Sequence, residues 1–339
     1  MSEKLSFNLT FIVAAVAFLA LVPSLGAGER AIYFLSLTLI WGLFAAAFDL
    51  SFGVTGLLSF GHAALLGVGA YVFSILTADY GVPWGIGLVA GAATSGLLGL
   101  LYGLISMRVG GLFFALVSLA AAELIHILIS STLRDITGGH DGFPAVPRPM
   151  IGSSWDFYDN TTFYYLILAI VFVSVLLLAI LRSSPFGRLC QGVRLNPVRM
   201  THIGFRIARI RSLALLVSGV FSGISGGLLA SLMMFISPET LSWTTSGDVL
   251  IMTLLGGAGT LIGPILGALV FETMRDVLSD LTVHWYGLLG LAFILCTIHL
   301  PEGLMSLRPG RLLGRLFASR RASKGELETI LEGESKWRE

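Results

Sequence analysis

Eight apolar runs recur along this chain, most of them as long as the roughly 20 residues that an α-helix needs to cross a bilayer. In a bilayer only helices and closed barrels satisfy every backbone group, and the lack of alternation in these runs excludes a barrel. Charged residues make up 12% of the chain, about half their share in soluble domains. The sequence therefore predicts an all-α polytopic membrane protein, a bundle of about 8–10 transmembrane helices. The predicted spans are 5–25, 31–50, 54–78, 84–106, 111–132, 163–181, 211–235 and 284–300.

A cationic stretch between two of these runs indicates the orientation of the chain. Seven arginines lie between Arg182 and Arg211, and no Asp or Glu occurs from Thr161 to Pro238. Because Lys and Arg are retained on the cytoplasmic side, we expect a cytoplasmic loop at about 182–211. The transmembrane domain then covers 1–305, and 306–339 form a cytoplasmic C-terminal tail, so both termini are expected in the cytoplasm. Whether the first apolar run is a retained helix or a cleaved signal peptide stays open.

The segment 247–278 is too long for one span and is interrupted by glycines and Pro264. A cytoplasmic tail requires an even number of crossings between residues 211 and 300. The sequence therefore predicts a broken hairpin that enters from the outer side and returns, or two short tilted helices.

Two stretches concentrate glycines and hydroxyls within apolar segments, Ser51–His62 and Leu255–Pro264. Irregular backbone at membrane depth is tolerated only where protein buries it or water lines it, and broken helices in both halves of a chain point to a translocation path and an internal repeat. Kinked packing helices are the alternative. The candidate path residues are Ser59, Gly61, His62, Glu123, Gly256, Gly257 and Gly259.

Ionisable residues within the spans are few. Glu123, with His126 three residues later on the same helix face, is the candidate for a buried polar role. Asp49 lies at a predicted span end, where a charge costs little, and Glu272, Arg275 and Asp276 are expected to form a local ion network at an end. Four residues form a polar turn that is either a tight turn or an outer loop meeting solute or a partner: Gly138, Gly139, Asp141 and Gly142.

Several kinds of chemistry are absent from the sequence. The three lysines, Lys4, Lys324 and Lys336, do not follow a phosphate-binding glycine loop, so the chain is not expected to bind ATP itself. Cys190 and Cys296 indicate neither a disulfide nor a metal site. The positive loops lack interleaved aromatic residues, which argues against nucleic-acid binding. We predict no catalytic residue, no metal and no cofactor.

The string Gly56-Leu-Leu-Ser-Phe-Gly-His-Ala-Ala-Leu-Leu-Gly-Val-Gly-Ala-Tyr71 resembles a signature of the LivM-type permease subunits of branched-chain amino-acid ABC importers. The resemblance continues in order over roughly residues 30–305. It includes the blocks Arg108–Glu123, Thr137–Gly142, Ser184–Arg188, Arg194–Gly204, Ser237–Glu239 and Leu255–Pro264.

The resemblance implies a permease subunit of an importer in the bacterial inner membrane. Its partners would be ABC ATPase subunits that bind ATP, a second homologous LivH-like permease and a periplasmic substrate-binding protein that delivers the solute. It also implies a short coupling helix near 188–204 that docks into the ATPase; alternatively, these arginines only hold the loop inside. The implied coupling residues are Arg188, Arg194, Asn196, Pro197, Arg199, His202 and Gly204.

The sequence leaves a second function open, an ion-coupled secondary transporter or channel for a small polar solute. Such a protein would need an essential acid near mid-membrane, and Glu123 is its one contender. The solute itself, and whether two permeases of the importer are identical, cannot be inferred from these residues.

Overall fold

The computed structural model describes residues 16, 19–26, 28–109, 111–144, 146–149, 157–281, 284–299 and 303–307. Most of the predicted first span, 5–25, and residues 308–339 of the predicted tail lie outside them. Within this part of the chain the α-helices are α1 (Glu29–Asp49), α2 (His62–Ala78), α3 (Trp84–Ile105), α4 (Leu112–Ile127), α5 (Arg134–Thr137), α6 (Asn160–Ser183), α7 (Pro185–Leu195), α8 (Pro197–His202), α9 (Ile207–Met233), α10 (Trp243–Gly256), α11 (Gly263–Leu281) and α12 (Trp285–His299).

The predicted all-α membrane architecture is confirmed. Among the described residues, five helices are long and apolar enough to cross a membrane: α1, α3, α4, α6 and α9, with α1 and α4 lengthened by π-helical turns at Leu50–Val54 and Leu128–Thr132. The shorter helices α2, α10, α11 and α12 lie among them. Short 3-10 helices occur at Pro23–Leu25, Gly139–Asp141, Pro238–Leu241 and Leu304–Leu307, and the strands β1 (Phe143–Pro144) and β2 (Phe235–Ile236) pair antiparallel.

Helix α9 lies at the centre and packs against α1, α2 and α3. Small residues make this packing possible. A Cβ atom on Gly99 would lie 2.2 Å from the carbonyl oxygen of Leu215, and one on Gly226 would lie 2.1 Å from that of Leu66. The buried Ser95 hydroxyl donates to the Gly219 carbonyl at 2.7 Å. Glycine therefore allows backbones to touch where a bilayer supplies no hydrophobic force between helices.

Contacts between distant segments define the two ends of the bundle. At one end Arg30 of α1 pairs with Asp276 and Asp280, both at 3.2 Å, and we call this the Arg30 end. At the other, the Asp49 end, Asp49 pairs with Arg182 after α6 has crossed the bundle. Helices α10 and α11 form a hairpin that starts at the Arg30 end and turns beside Asp49. The 247–278 segment is thus two helices, as the sequence predicts.

One buried arginine fastens the long loop at the Arg30 end. Arg148 is 4% exposed, and its guanidinium donates to the carbonyl of Leu232 at 3.2 Å and to the side chain of Asn160. It also lies 4.7 Å above the ring of Phe163. Burial lowers the pKa of Arg148. The sequence did not single out this residue, which ties the loop to α6 and to the end of α9.

Candidate functional site

The first glycine break separates α1 from α2. After the π-helical turn Leu50–Val54 the chain leaves the helix, and Gly56 adopts a φ of +78° that favours glycine. A Cβ atom on Gly61 would lie 2.1 Å from the Ser118 carbonyl oxygen, so this break is pressed against α4. The prediction of a broken helix here is confirmed.

Two polar side chains of this break are fully buried. The Nε2 atom of His62 lies 2.9 Å from the Ser218 hydroxyl of α9, and its ring lies edge-on to Phe48 at 5.0 Å. The Ser59 hydroxyl and the His62 Nδ1 atom have no hydrogen-bond partner among the described residues. His62 therefore holds the break against α1 and α9 in the packed interior.

The second glycine break turns α10 into α11. Gly257 and Gly259 have φ angles of +111° and +85°, which side chains rarely adopt. A Cβ atom on Gly256 would lie 1.8 Å from the Gly263 carbonyl oxygen, so the hairpin closes with backbone against backbone. Gly303, beyond α12, packs against Gly257 in the same way.

The structure brings the two breaks and the arginine-rich connector to one point, which the sequence did not predict. The Oδ1 atom of Asp49 accepts from the Gly259 backbone N–H at 2.7 Å, while its Oδ2 atom pairs with the Arg182 guanidinium at 2.5 Å. Arg194, exposed along much of its length, donates through Nη1 to the carbonyl of Gly53. We call these five residues the junction: Asp49, Gly53, Arg182, Arg194 and Gly259.

The expectation for Asp49 was wrong. Its side chain is 0% exposed, whereas the Arg182 side chain is 10% exposed. It lies at the end of α1, as predicted, but α6 and the second break cover it. A buried carboxylate is costly unless it is paired and hydrogen-bonded, and both conditions are met here.

The connector contains two short helices in place of the single helix expected near 188–204. Ser184 caps α7, which begins at Pro185, and Asn196 caps α8, accepting from the Arg199 backbone N–H at 2.9 Å. Asn196 is extended, with φ −156° and ψ 93°, as the residue before a proline prefers. The chain leaves α8 through Gly204 at φ +95°.

The two connector helices differ in burial. Helix α7 packs Gly187, Cys190 and Val193 against the bundle, whereas no residue of α8 is buried. Large apolar side chains face outward, with Leu195, Val198 and Ile203 exposed by 85%, 64% and 63%. Arginines and a histidine lie between them. We call this the docking surface: Arg188, Leu195, Val198, Arg199, His202 and Ile203.

The polar turn at the Arg30 end is a packing element. Gly138, Gly139 and Gly142 have positive φ angles, and a Cβ atom on Gly142 would lie 2.6 Å from the Ile236 carbonyl oxygen. The turn leads directly into the pairing of β1 with β2, and Asp141 is exposed. The positive φ angles and the close backbone approach explain why glycines occupy these positions, as expected for a tight turn.

The acidic residues at depth are distributed differently from the expectation. The Glu123 side chain is 42% exposed and lies 3.4 Å from His126, so it is not the buried acid that the sequence suggested. Glu272, 3% exposed, lies 3.6 Å from Arg275 as expected, close to the Arg30 end, whereas Asp276 pairs with the distant Arg30. Among the described residues, no hydrogen bond or ion pair joins Glu123 to the junction.

The similarity of this chain to known proteins identifies its family. Residues 30–298 match the family model for the permease component of branched-chain amino acid transport systems. The chain belongs to this family. It is 28% identical over 317 residues to the high-affinity branched-chain amino acid transport system permease protein LivM of Escherichia coli K12, covering 86% of this chain and 72% of the relative.

Two further relatives extend this result. The LivH permease protein of the corresponding system in Salmonella typhimurium is 22% identical over 300 residues, which is 82% of this chain and 97% of that protein. The autoinducer 2 import system permease protein LsrC of Photorhabdus laumondii is 30% identical over 131 residues, 37% of this chain and 39% of LsrC. No solved structure matches this chain.

Proposed function

We propose that this chain is the transmembrane permease subunit of an ATP-driven importer for branched-chain amino acids or a related small solute. Family membership over residues 30–298 and similarity to LivM and LivH along most of the chain support the proposal. The helical bundle supplies half of the path, and separate ABC ATPase subunits bind and hydrolyse ATP. The chain itself acts without catalytic residues or a cofactor.

The docking surface is the observation that carries the proposal. Helix α8 projects from the bundle at the Asp49 end with apolar side chains exposed between cations. Exposed apolar residues rimmed by charge are typical of protein interfaces. An ATPase that grips α8 would act directly on the connector, which the junction ties to both glycine breaks.

Charge sets the proposed orientation in the bacterial inner membrane. The seven arginines of 182–211 and the eight basic residues of 301–339 favour a cytoplasmic Asp49 end and cytoplasmic termini. The Arg30 end then faces the periplasm, where a binding protein delivers the solute. A second homologous, LivH-like permease completes the path.

A charge reversal on the docking surface tests the proposal. Val198→Asp combined with Arg199→Glu should reduce the affinity of the permease for separately purified ATPase subunits at least tenfold. Both residues are exposed, so membrane insertion should be unchanged. Binding is measured by titrating the ATPase onto the permease in nanodiscs.

The matched control reverses a charge at the opposite end of the bundle. Arg134 is 76% exposed at the Arg30 end, and Arg134→Glu should leave ATPase binding unchanged. Equal affinity of the docking-surface variant and the wild type would contradict the proposed ATPase contact.

A further inference from the structure

We propose that the junction is the mechanical link of the transporter, through which movement of the connector reaches both glycine breaks at once. The proposal rests on the proposed function and adds to it. The docking surface explains where force enters the chain, whereas the junction explains where that force acts. Its residues are positioning residues, since they act by holding backbone segments together.

The ion pair of Asp49 and Arg182 joins α1 to the last turn of α6. The two residues are 133 positions apart in sequence; Asp49 is fully buried and the Arg182 side chain is only 10% exposed. Charge-assisted hydrogen bonds are stronger than neutral ones, and removing one partner of a buried pair leaves an uncompensated charge. The start of the connector is therefore held firmly to the first break.

The other carboxylate oxygen of Asp49 holds the second break. It accepts the backbone N–H of Gly259 at 2.7 Å. Gly259 lies in the turn between α10 and α11, where positive φ angles at Gly257 and Gly259 make the backbone irregular. One side chain thus connects α1, α6 and the hairpin.

Arg194 adds a second link from the far end of α7. It donates to the carbonyl of Gly53, in the π-helical turn after α1. A Cβ atom on Gly56 would lie 3.0 Å from Cγ of Arg194, so a glycine allows this arginine to cross the break. Both ends of α7 are therefore attached to the first break.

The segments that are held are the ones best able to deform. A π-helical turn is a rare conformation that surrounding contacts must maintain, and glycines at positive φ give the second break a backbone freedom that other residues lack. Helices α6 and α7 are regular, so they deform less readily than the two breaks. Displacing α7 should accordingly reshape residues 50–61 and 257–262 together.

Coupling in the complete importer gives the first test. Complexes of this chain with its ATPase subunits, second permease and binding protein are reconstituted in liposomes, and leucine uptake is measured per ATP hydrolysed. Asp49→Ala removes both links of the carboxylate and should lower this ratio at least tenfold. Asp49→Asn keeps an acceptor oxygen and should lower it two- to fivefold.

The control removes an exposed carboxylate elsewhere. Asp79 follows α2 at the Arg30 end, and Asp79→Ala should keep the wild-type ratio. A purely structural role for Asp49 would reduce the yield of complex and leave the ratio unchanged. If Asp49→Ala does not assemble, the ratio of Asp49→Asn decides, and a wild-type ratio in that variant overturns the proposal.

A native thiol gives a second test that needs no transport. Cys190 of α7 is 0% exposed and lies beside Thr55 in the first break. Burial raises the pKa of the Cys190 thiol, which reduces the thiolate that reacts with maleimide. If Asp49 holds the connector in place, its loss should expose Cys190 and speed labelling.

Labelling is measured on the full chain in membranes, with Cys296→Ser in every variant. Asp49→Ala and Asp49→Asn should label Cys190 at least fivefold faster than the parent, and Asp79→Ala at the parent rate. Unchanged rates in both Asp49 variants would overturn the link. Failure of the wild-type importer to move leucine would exclude leucine as its solute, and failure to move any amino acid with ATP would contradict the proposed function; in both cases this labelling assay still decides the role of the junction.

Discussion

At the scale of single residues, Gly53 sets how closely the junction can pack. A Cβ atom there would lie 1.8 Å from Oδ1 of Asp49 and 2.3 Å from the backbone nitrogen of Gly259. We expect Gly53→Ala to destabilise the protein by about 1–3 kcal/mol, the usual cost of overpacking a buried site. Thermal unfolding in detergent should show a lower midpoint. Gly85→Ala, whose added methyl meets open space in α3, should not lower it, and equal midpoints would refute the steric argument.

The sequence predicted the positions of the glycine breaks better than the pairing of the charged residues. Clusters of glycine in apolar runs indicated both breaks. Irregular backbone at membrane depth is tolerated only where protein buries it or water lines it, so such clusters mark special positions in the bundle. Asp49 was placed correctly at a helix end, but its burial depends on α6 and on the hairpin, which pack against it from 133 and 210 positions away. One signal was available. Arg182 and Arg194 have no acidic neighbour from Thr161 to Pro238, so any acidic partner had to come from a distant segment.

At the scale of elements, the stability of α8 depends on its cap. The helix has six residues with none buried, and so short a helix gains little from its own hydrogen bonds. Asn196→Ala removes the acceptor for the Arg199 N–H and should cost about 1 kcal/mol, which corresponds to roughly fivefold weaker ATPase binding. Titration of the ATPase in nanodiscs measures the change. Asp159→Ala removes the equivalent cap of α6 at the Arg30 end and should leave the affinity unchanged; a similar loss in both variants would contradict the role of α8.

The division of the connector into two helices was missed although its cause is local. Pro197 cannot continue a helix from α7, and Asn196 before it is driven into extended backbone. The resemblance to known permeases implied one helix near 188–204. That expectation did not take into account that Pro197 ends a helix. By contrast, the hairpin of α10 and α11 was predicted from the count of crossings, since a cytoplasmic tail requires an even number after Arg211.

At the scale of the whole molecule, the arginine-rich connector and the two glycine breaks, found separately in the sequence, form one continuous series of contacts. The docking surface covers α8 and exposed residues of α7, the junction lies beside both ends of α7, and the two breaks lie against α1, α4 and α9. Sequence patterns identify such elements one at a time, because each has a local composition. Their convergence on Asp49 is a property of tertiary packing and required the structure.

Whether transport is driven by ATP or by an ion gradient is also a property of the whole molecule. An ion-coupled transporter would need an essential acid at mid-membrane, yet Glu123 is 42% exposed with His126 as its neighbour, and within the described part of the chain no hydrogen bond or ion pair links it to the junction. We expect Glu123→Gln to retain at least half of the wild-type uptake rate. In vesicles supplied with ATP, uptake should continue after ionophores collapse the ion gradients, and should stop when ATP is omitted. Loss of uptake on collapse of the gradients, together with an inactive Glu123→Gln variant, would instead identify an ion-coupled mechanism. In that mechanism no ATPase would bind the connector.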